Sequence, residues 1–495
     1  MSIIPKPHLR VAERAKSGVV LSPLSVTRSR IWKALYFPIG DTIVKQPRSR
    51  RRDTEQGQKP AQSMGSQAPP SVAIIGGGLC GLSLAIALKK RSISFKIYEA
   101  RASFTEIGAG INLGPNTAQT FRLIDESLAE AIERLVTRNP PSKEEVWMQV
   151  RFGAASGRFK DGGLITNIMA PPTGNRTVKR NDLLDLLASK TGPENAAFNK
   201  KLVGLDQDDS GVTLSFTDGT REYAGAAIAC DGIHSATRRI MFGSESQAAI
   251  PRFSQAGAYR GILSKEKLAS LVGDDIAGTS TIFLGPGAYV IMYPVEGHQS
   301  VNCGLWPWRR CTWTEREWLI PHQKQGMEDT FSAWGETVHK IMALMEDPSF
   351  FATFYHGEQP KSFHVGRVLL IGDAAHSMPP HQGAGAGQAL EDAYVLAEVL
   401  GHKTSSLPSQ QEIEASFEGY EAVRKPRAQR ALETSVEAMS FWSDWHRPDL
   451  TEVDVANFVE AARDRFDWLW YDDIADQGRR AKVEMARVLA GGKDA

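Results

Sequence analysis

The chain has 495 residues, of which 42% are hydrophobic and 23% charged, a composition ordinary for a globular protein of two or three domains. The formal net charge is +1, but 12 of the 58 basic residues and only two of the 57 acidic ones lie in residues 1–52, so the remainder is net acidic. That balance disfavours a nucleic-acid partner, and four cysteines without a Cys-x-x-Cys pair favour a reducing compartment and disfavour a metal cluster.

Residues 1–70 differ in composition from the rest of the chain. They are basic, and from residue 48 onward they are polar and rich in Pro, Ser and Gln, a composition that cannot bury a core. We predict a disordered tail, or an upstream extension of a chain that could begin at Met64, and a cytoplasmic protein. The alternative is a mitochondrial transit peptide, because the segment is rich in Arg and Ser and poor in acids.

The stretch from Val72 to Glu99 has the pattern of a dinucleotide-binding βαβ unit. The pattern predicts a strand, a helix and a second strand over residues 72–75, 79–90 and 95–98. The turn after the first strand holds a Gly-x-Gly-x-x-Gly, formed by Gly76, Gly78 and Gly81. In that order they would permit the tight turn, the approach of a pyrophosphate and the packing of helix on strand. A membrane span over the uncharged residues 71–88 is disfavoured because glycines cluster there.

Two further segments carry polar residues beside predicted elements. In "KRNDLL", Arg180 precedes Asn181, which we predict to be a helix N-cap. In "AAIACDGIHSATR", a predicted strand over 226–229 is followed by Asp231 and Gly232. Both segments lie outside the first unit, and the sequence shows no second glycine fingerprint.

Aromatic and β-branched segments in the middle of the chain predict a substrate-binding sheet, with strands over 257–263, 288–295 and 300–308. Because side chains alternate between faces, Tyr259 and Arg260 point to opposite sides, whereas Tyr289 and Tyr293 share a face. If Arg260 and Tyr293 project into one cavity, the arginine can stabilise a phenolate and the tyrosine can hold or relay its proton. The alternatives are a surface charge for Arg260 and an ordinary core tyrosine for Tyr293.

The segment "RVLLIGDAAHSMPPHQGAGAGQALEDA" predicts a strand over 368–371, a Pro/Gly loop and a helix. Asp373, at the strand end, can hydrogen-bond the hydroxyls of a polyol chain. The small residues of 383–387 allow a flat ring to approach bare backbone at a helix N-terminus, where the dipole stabilises an anionic reduced flavin. His376 and His381 are predicted to stabilise this loop, because no acid follows at a spacing that suggests a pair.

Together, the glycine fingerprint, the Arg180 segment, the Asp-Gly segment and the long final motif resemble one family across roughly residues 71–440. The chain is similar to the single-component FAD-dependent aromatic hydroxylases of the p-hydroxybenzoate hydroxylase-like superfamily, and more narrowly to the salicylate hydroxylase branch with its fungal biosynthetic relatives. In fungal relatives that act on phenols, an Arg and a Tyr at positions matching Arg260 and Tyr293 form the catalytic pair.

The resemblance implies a non-covalent FAD. Its expected binding residues are Gly76, Gly78, Gly81, Glu99, Gly110, Arg180, Asp231, Gly232, Asp373, Gly385 and Ala386. Glu99 would hold the adenosine ribose and Asp373 the ribitol, while Gly110 and Ala386 would line the FAD through their backbone. The Asp231–Gly232 pair would serve both FAD and a nicotinamide donor that docks transiently.

The fold class that follows is α/β, with a discontinuous Rossmann-like FAD-binding domain, an antiparallel-sheet substrate domain and C-terminal helices. The expected domains are a tail at 1–70, the FAD domain at 71–245 with an excursion near 145–175, a substrate sheet at 246–360, the second FAD part at 361–400 and a helical region at 401–495.

The expected reaction is a monooxygenation. NAD(P)H reduces FAD, O2 adds at the flavin C4a position, and the resulting hydroperoxide hydroxylates a phenolic or aromatic substrate, as in secondary-metabolite biosynthesis. The alternatives are epoxidation of an indole or alkene, a flavin oxidase or dehydrogenase, and a flavin-binding scaffold that is not an enzyme. Expected partners are the small aromatic substrate, O2 and NAD(P)H, with the protein as a monomer or homodimer.

Overall fold

A computed structural model describes residues 71–105, 110–309, 311–401 and 409–491. The predicted N-terminal tail lies outside the described residues. The described residues all belong to one compact unit. No helix among the described residues is long and apolar enough to cross a membrane.

The strands, in chain order, are β1 Val72–Ile75, β2 Phe95–Tyr98, β3 Gly110–Asn112, β4 Thr137–Arg138, β5 Val146–Phe152, β6 Leu164–Met169, β7 Arg176–Lys179, β8 Ala196–Ala197, β9 Leu202–Gln207, β10 Val212–Phe216, β11 Arg221–Ala224, β12 Ala226–Ala229, β13 Arg252–Ser264, β14 Thr281–Gly285, β15 Ala288–Val295, β16 Ser300–Pro307, β17 Leu319–Ile320, β18 Ser349–Tyr355, β19 His364–Val365 and β20 Val368–Leu370.

The helices are α1 Leu79–Lys90, α2 Pro115–Ile124, α3 Glu126–Glu133, α4 Arg180–Thr191, α5 Ala236–Phe242, α6 Lys265–Val272, α7 Asp274–Gly278, α8 Lys324–Thr330, α9 Glu336–Ala343, α10 Asp373–His376, α11 Gly385–Leu400, α12 Gln410–Ser443, α13 Glu452–Trp470 and α14 Ile474–Gly491. Single 3-10 turns lie at Pro141–Lys143, Pro193–Asn195 and Glu296–His298.

A six-stranded sheet forms the first layer, in the order β19-β20-β12-β1-β2-β8. All neighbours in it are parallel except β19 and β20. The strands β1, β12 and β20 are buried on both faces and are made of apolar residues, as is typical of a sheet covered by helices. On one face α1, α4 and α11 share a continuous apolar core with these strands. The predicted α/β fold class is confirmed by this arrangement.

An eight-stranded sheet forms the second layer, in the order β17-β18-β13-β16-β15-β14-β5-β6. It is antiparallel except between β14 and β5. One face, which includes Tyr259, packs against α6, α8 and α9. The opposite face, which includes Tyr289 and Trp306, packs in part against α12 and α13. The alternation of side chains along each strand therefore gives the sheet two different environments.

Two element starts differ from the sequence-based expectation, and the ends of β13, β16 and β20 differ from it by one residue each. Helix α4 begins at Arg180, and its N-cap is Lys179 rather than Asn181. The reason is that Lys179 still pairs with Gly110 in the β3–β7 ladder, so the helix follows the strand directly. Strand β13 begins at Arg252 rather than Gly257, because β18 supplies a partner for the earlier residues across a bulge.

Candidate functional site

The carboxyl ends of four parallel strands bring the sequence motifs to one edge of the six-stranded sheet. In the order β20-β12-β1-β2, these ends lead to Asp373, Asp231, the glycine turn and Glu99. Adjacent strands stay in register to their last residues, with Ile75 paired to both Tyr98 and Ala229. In open α/β sheets this edge is where ligands bind. Segments that lie far apart in sequence therefore share one site.

The three glycines of the fingerprint differ in what a side chain would meet. Gly76 has φ +100°, and a Cβ there would lie 2.6 Å from the carbonyl oxygen of Cys230. A Cβ on Gly81 would lie 2.1 Å from the carbonyl oxygen of Gly76, so helix and turn are in direct contact. A Cβ on Gly78 would meet no atom within 4 Å. Two glycines therefore serve packing, and Gly78 faces open space where a phosphate can approach.

The start of α1 is suited to an anion. Gly78 caps the helix without a side-chain hydrogen bond, and the first turn carries no acidic residue. Backbone N–H groups and the positive end of the helix dipole are then available to a phosphate. Glu99 lies beside this turn, where its Oε2 accepts a hydrogen bond of 2.7 Å from the N–H of Gly77 and its Oε1 accepts one of 2.8 Å from Arg101. The carboxylate is thus held in a fixed position next to the glycine turn.

Asp373, on the turn after β20, differs from its neighbours in solvent exposure. It is exposed, whereas the residues on either side of it are buried. A Cβ on Gly385, the first residue of α11, would lie 4.0 Å from Oδ1 of Asp373. Gly383 has φ +66° and open space around its missing side chain, and Ala386 is half-buried. The carboxylate and the glycine-rich helix start therefore border the same open space, as a polyol and an attached flat ring require.

The Asp231–Gly232 pair lies between these two regions. Oδ2 of Asp231 accepts hydrogen bonds of 3.1 Å from the N–H and the hydroxyl of Thr237 in α5. Its Oδ1 is buried without a hydrogen-bond partner among the described residues, and burial raises the pKa of the carboxyl. Gly232 has φ +73° and nothing near its missing side chain. An unsatisfied buried oxygen beside open backbone is a site that a ligand donor can complete.

Arg260 projects from the sheet face opposite Tyr259, as the alternation predicts. In the ladder it pairs with Gly304, which pairs in turn with Ile291. Its guanidinium lies over the rings of Trp306 and Phe351, at 5.6 and 5.1 Å from their centroids. Arg260 is half-buried. The cavity of about 390 Å³ that it borders is otherwise lined by residues 261–264, Lys267 and residues 343–348, and not by Tyr289, Tyr293 or Trp306. The residue is therefore neither a surface charge nor sealed in the core.

The groups that act on the pKa of Arg260 include Tyr293 and Arg180, two other predicted site residues. Burial lowers the pKa of Arg260, the nearby Tyr293 and Tyr289 hydroxyls oppose that shift, and the positive charge of Arg180 adds to it. Arg180 is half-buried at the start of α4. Two arginines close enough to repel each other favour an anion between or beside them.

Tyr293 joins the substrate sheet to the strand that carries Gly110. The tyrosine is 9% exposed and its hydroxyl donates a hydrogen bond of 2.8 Å to the carbonyl oxygen of Gly110. A Cβ on Gly110 would lie 2.9 Å from the tyrosine ring. Burial raises the pKa of Tyr293 to about 12, although Arg260 acts in the opposite direction. Tyr293 therefore keeps its proton at neutral pH.

Three further side chains on this face were not identified as site residues from the sequence. Tyr289 stacks on Trp306, and both rings meet the edge of His381. Nδ1 of His381 lies 2.8 Å from the Tyr289 hydroxyl, and burial lowers the pKa of His381 to about 3. Nε2 of His381 and Nε1 of Trp306 are buried without a partner among the described residues. No local sequence signal links these residues, because they come from two strands and a distant loop.

His376 has an acidic partner, so the expectation that no acid pairs with it is wrong. Its Nε2 lies 2.6 Å from Oδ2 of Asp392, and both side chains are buried. The acid lies 16 residues further along, where α11 folds back against the turn. Among the described residues, no group of three His, Cys, Asp or Glu side chains could hold a metal ion.

Comparison with known proteins agrees with this geometry. Residues 70–435 match the family model described as an FAD binding domain. The chain is 34% identical to a 6-methylsalicylate 1-monooxygenase of Aspergillus terreus over 425 residues, which cover 85% of this chain and 93% of that enzyme. It is 32% identical to a salicylate hydroxylase of Pseudomonas putida over 433 residues, which cover 85% and 96% of the two chains.

A solved structure of a salicylate hydroxylase in complex with its substrate has the same fold. The TM-score is 0.74 at 30% sequence identity, and the match covers 83% of this chain and 98% of that one. The fold, the glycine turn and the edge that carries Glu99, Asp231 and Asp373 are thus found together with a family match over most of the chain. The chain belongs to the FAD-binding domain family and is an FAD-dependent monooxygenase of the salicylate hydroxylase type.

Proposed function

We propose that the protein uses NAD(P)H and O2 to hydroxylate a phenol, and that ortho-hydroxybenzoates are its substrate class. The observation that carries this proposal is Arg260, a largely desolvated cation on an aromatic face of the substrate sheet. An arginine charge in such a place needs an anion, and a phenolate or carboxylate supplies one. The two relatives, a 6-methylsalicylate 1-monooxygenase and a salicylate hydroxylase, support the same class. A role in secondary-metabolite biosynthesis stays a prediction.

The residues at the sheet edge fit the parts of FAD. We assign the pyrophosphate to the start of α1 at Gly78, the adenosine ribose to Glu99 and the ribitol to Asp373. The ring would lie against the backbone of Gly385 and Ala386. The open space at Gly78 supports this assignment, because nothing else in the described structure requires glycine there. When bound, FAD supplies the redox chemistry, passing reducing equivalents from NAD(P)H to O2, one atom of which enters the substrate.

The substrate would lie on the face formed by Arg260, Trp306 and Tyr289. The indole of Trp306 lies over Gly304, with its Nε1 2.8 Å from where a Cβ would stand, so a flat substrate ring would lie against the indole rather than against bare backbone. Arg260 would stabilise the phenolate, because a desolvated guanidinium favours an anionic oxygen more strongly than water-exposed charge does. The phenol proton would leave to solvent as the phenolate forms, which makes the ring electron-rich, as attack on an electrophilic oxygen requires.

Tyr293 would orient the substrate by accepting a hydrogen bond. Its O–H is donated to Gly110 and its oxygen is also hydrogen-bonded by Asn302, which leaves one lone pair for the hydrogen of a phenol before that phenol is deprotonated. With a pKa of about 12, the residue does not act as the base at neutral pH. We therefore assign Tyr293 to holding the phenol in place beside Arg260, and assign the charge stabilisation to Arg260.

A panel of matched aromatic compounds tests the proposal. The FAD-loaded full chain would be mixed with salicylate, 6-methylsalicylate, phenol and benzoate, and oxidation of NADH and NADPH would be followed together with product mass under 18O2. We expect stimulation by the hydroxybenzoates, much less by benzoate, and one labelled oxygen per product. The product mass also shows whether the carboxyl group is kept or lost.

Two outcomes of this experiment would contradict the proposal. Substrate turnover without label from 18O2 would indicate a flavin oxidase or dehydrogenase. Labelled products from indoles or alkenes, with no turnover of any phenol, would indicate epoxidation and remove the reason for a phenolate at Arg260.

A further inference from the structure

A cluster of buried charges lies behind the turn that carries Asp373. We call it the buried ion cluster, and it consists of His376, Glu391, Asp392, Arg424 and Arg427. The side chains of Glu391, Asp392 and Arg424 have no exposed surface. Arg424 donates to Asp392 over 2.8 Å and to Glu391 over 2.5 Å, and Arg427 donates to Glu391 over 2.7 Å. The cluster links α11 to α12.

Such a cluster is an inefficient way to hold two helices together. Each buried ion carries a large desolvation cost, and apolar residues of similar volume often stabilise a fold as well or better. Burial disfavours ionisation of Asp392, but the charges of His376 and Arg424 overcome that effect, and the pKa of Asp392 lies well below its ordinary value. The cluster therefore keeps the Asp392 carboxylate ionised and in a fixed position.

The Asp392 carboxylate contacts the backbone of the turn that carries Asp373. Oδ2 of Asp392 accepts a hydrogen bond of 2.9 Å from the N–H of Gly372 and one of 2.6 Å from His376, while its Oδ1 is held by Arg424. Gly372 has φ +57°, a backbone conformation favoured by glycine, and it directly precedes Asp373. The carboxylate thus contacts both ends of α10, the short helix on which Asp373 is the first residue.

A second buried arginine holds the same turn from its carbonyl side. Arg238 donates to the carbonyl oxygens of Ala374 and Ala375 over 2.8 and 2.6 Å. The turn is therefore held through its N–H groups by Asp392 and through its carbonyls by Arg238. These buried contacts hold the backbone on both sides of Asp373.

We propose that Asp392, oriented by Arg424, is a positioning residue for FAD binding, which fixes the N–H of Gly372 and thereby the direction of the Asp373 carboxylate. This inference rests on the proposed function, in that it takes Asp373 as an FAD-binding residue. It assigns Asp392 a role that Glu391 does not share. Glu391 is equally buried in the same cluster, but it accepts its hydrogen bonds from Arg424, Arg427, Asn116, Gln388 and Gln477 rather than from the turn.

The test compares Asp392→Asn with Glu391→Gln in the full chain. Both variants remove one buried carboxylate charge from the cluster and keep the side-chain shape. For each, the dissociation constant of FAD is measured by titrating the apoprotein and following flavin fluorescence, and the thermal midpoint of the apoprotein is measured separately. We expect Asp392→Asn to weaken FAD binding about tenfold or more, and Glu391→Gln to weaken it less than about threefold at a similar loss of thermal midpoint.

A double-mutant cycle with Asp373→Ala tests whether Asp392 acts through Asp373. We expect Asp392→Asn to weaken FAD binding only slightly in the Asp373→Ala background. Equal effects of Asp392→Asn and Glu391→Gln, or additive effects of Asp392→Asn and Asp373→Ala, would overturn the inference. No effect of Asp373→Ala by itself would instead overturn the assignment of Asp373 in the proposed function.

Arg424→Lys provides a second variant if Asp392→Asn does not fold. Lysine keeps the charge but cannot reach both carboxylates with a planar fork. The inference requires weaker FAD binding in Arg424→Lys while the apoprotein still unfolds cooperatively. If neither variant folds, the cluster serves stability and the inference is wrong.

Discussion

The hydroxyl of Tyr293 donates a 2.8 Å hydrogen bond to the carbonyl oxygen of Gly110, which lies 183 residues earlier in the chain. This bond connects the substrate sheet to the strand β3, and β3 pairs with the strand that leads into Arg180. A residue expected to touch the substrate is therefore bonded to a residue expected to line the cofactor. Changes at Tyr293 should affect how the two ligands are placed relative to each other.

Tyr293→Phe should uncouple donor oxidation from product formation. The substitution keeps the ring and its packing but removes both the bond to Gly110 and the acceptor for the phenol. We expect normal FAD binding, a fall in hydroxylation of roughly 10²-fold, as misplacement of a reactant by about 1 Å can cause, and release of hydrogen peroxide. The measurement is product formed per NADPH oxidised with salicylate. Unchanged coupling would remove Tyr293 from the site.

Arg260→Lys should not restore the activity lost in Arg260→Gln. Lysine keeps a positive charge but lacks the planar fork and the stacking on Trp306 and Phe351. We expect both variants to lose about 10²-fold or more in kcat/KM for phenols. Arg309→Lys is the matched control, since Arg309 also lies over an aromatic ring but donates to Tyr259 on the opposite sheet face. Equal losses in Arg260→Lys and Arg309→Lys would indicate a general packing effect.

Gly78→Ala and Gly81→Ala should separate cofactor binding from folding. A methyl group on Gly78 meets nothing in the protein, so we expect an apoprotein of normal thermal midpoint that binds FAD at least about tenfold more weakly. A methyl group on Gly81 would clash with the backbone of Gly76, so we expect a loss of stability in the apoprotein itself. The same result for both variants would show that Gly78 does not face the cofactor.

Asp373→Ala should reduce the FAD content of the purified protein. The exposed carboxylate is expected to accept hydrogen bonds from the ribitol, and bonds to a charged group are worth about 1.5–3 kcal/mol, or roughly 10- to 150-fold in affinity. Asp373→Asn, which keeps one acceptor oxygen, should bind FAD with an intermediate affinity. Absorbance of bound flavin after dialysis at low FAD measures the effect. Full flavin content in Asp373→Ala would contradict the ribitol assignment.

Stability of the apoprotein should fall as the pH drops below about 6.5. Burial lowers the pKa of His381 to about 3, and burial together with the charge of Arg238 lowers that of His356 to about 3. A histidine whose pKa is lower in the folded state stabilises the fold above its unfolded pKa, and that contribution is lost as the pH falls towards the folded pKa. Each residue adds a slope of up to about 1.4 kcal/mol per pH unit. Urea unfolding between pH 7.5 and 5 measures it.

The variants His381→Gln and His356→Gln provide the controls for the pH prediction. Each removes one titrating group, so each should reduce the dependence of the free energy of unfolding on pH, whatever its effect on stability at pH 7.5. A slope that is the same in wild type and both variants would mean that other groups cause it.

The sequence by itself determined the elements whose signals are local. The strands Val72–Ile75, Ala226–Ala229 and Ala288–Val295 and the helix Leu79–Lys90 have their predicted bounds. Apolar runs, helical spacing and glycine turns act over a few residues, so they can be read from a short window. The same holds for the opposite faces of Tyr259 and Arg260, which follow from the period of a strand.

Only the tertiary structure decided which of these elements meet. The bond from Tyr293 to Gly110, the pair of His376 and Asp392, and the contact of His381 with Tyr289 each join segments that no local pattern connects. They depend on strand order in two sheets and on how α11 packs against the turn before it. Burial then determined the protonation states, because the pKa of a tyrosine or a histidine changes once water is excluded. The exclusion of water is a property of the packed fold and does not follow from the neighbouring residues in the chain.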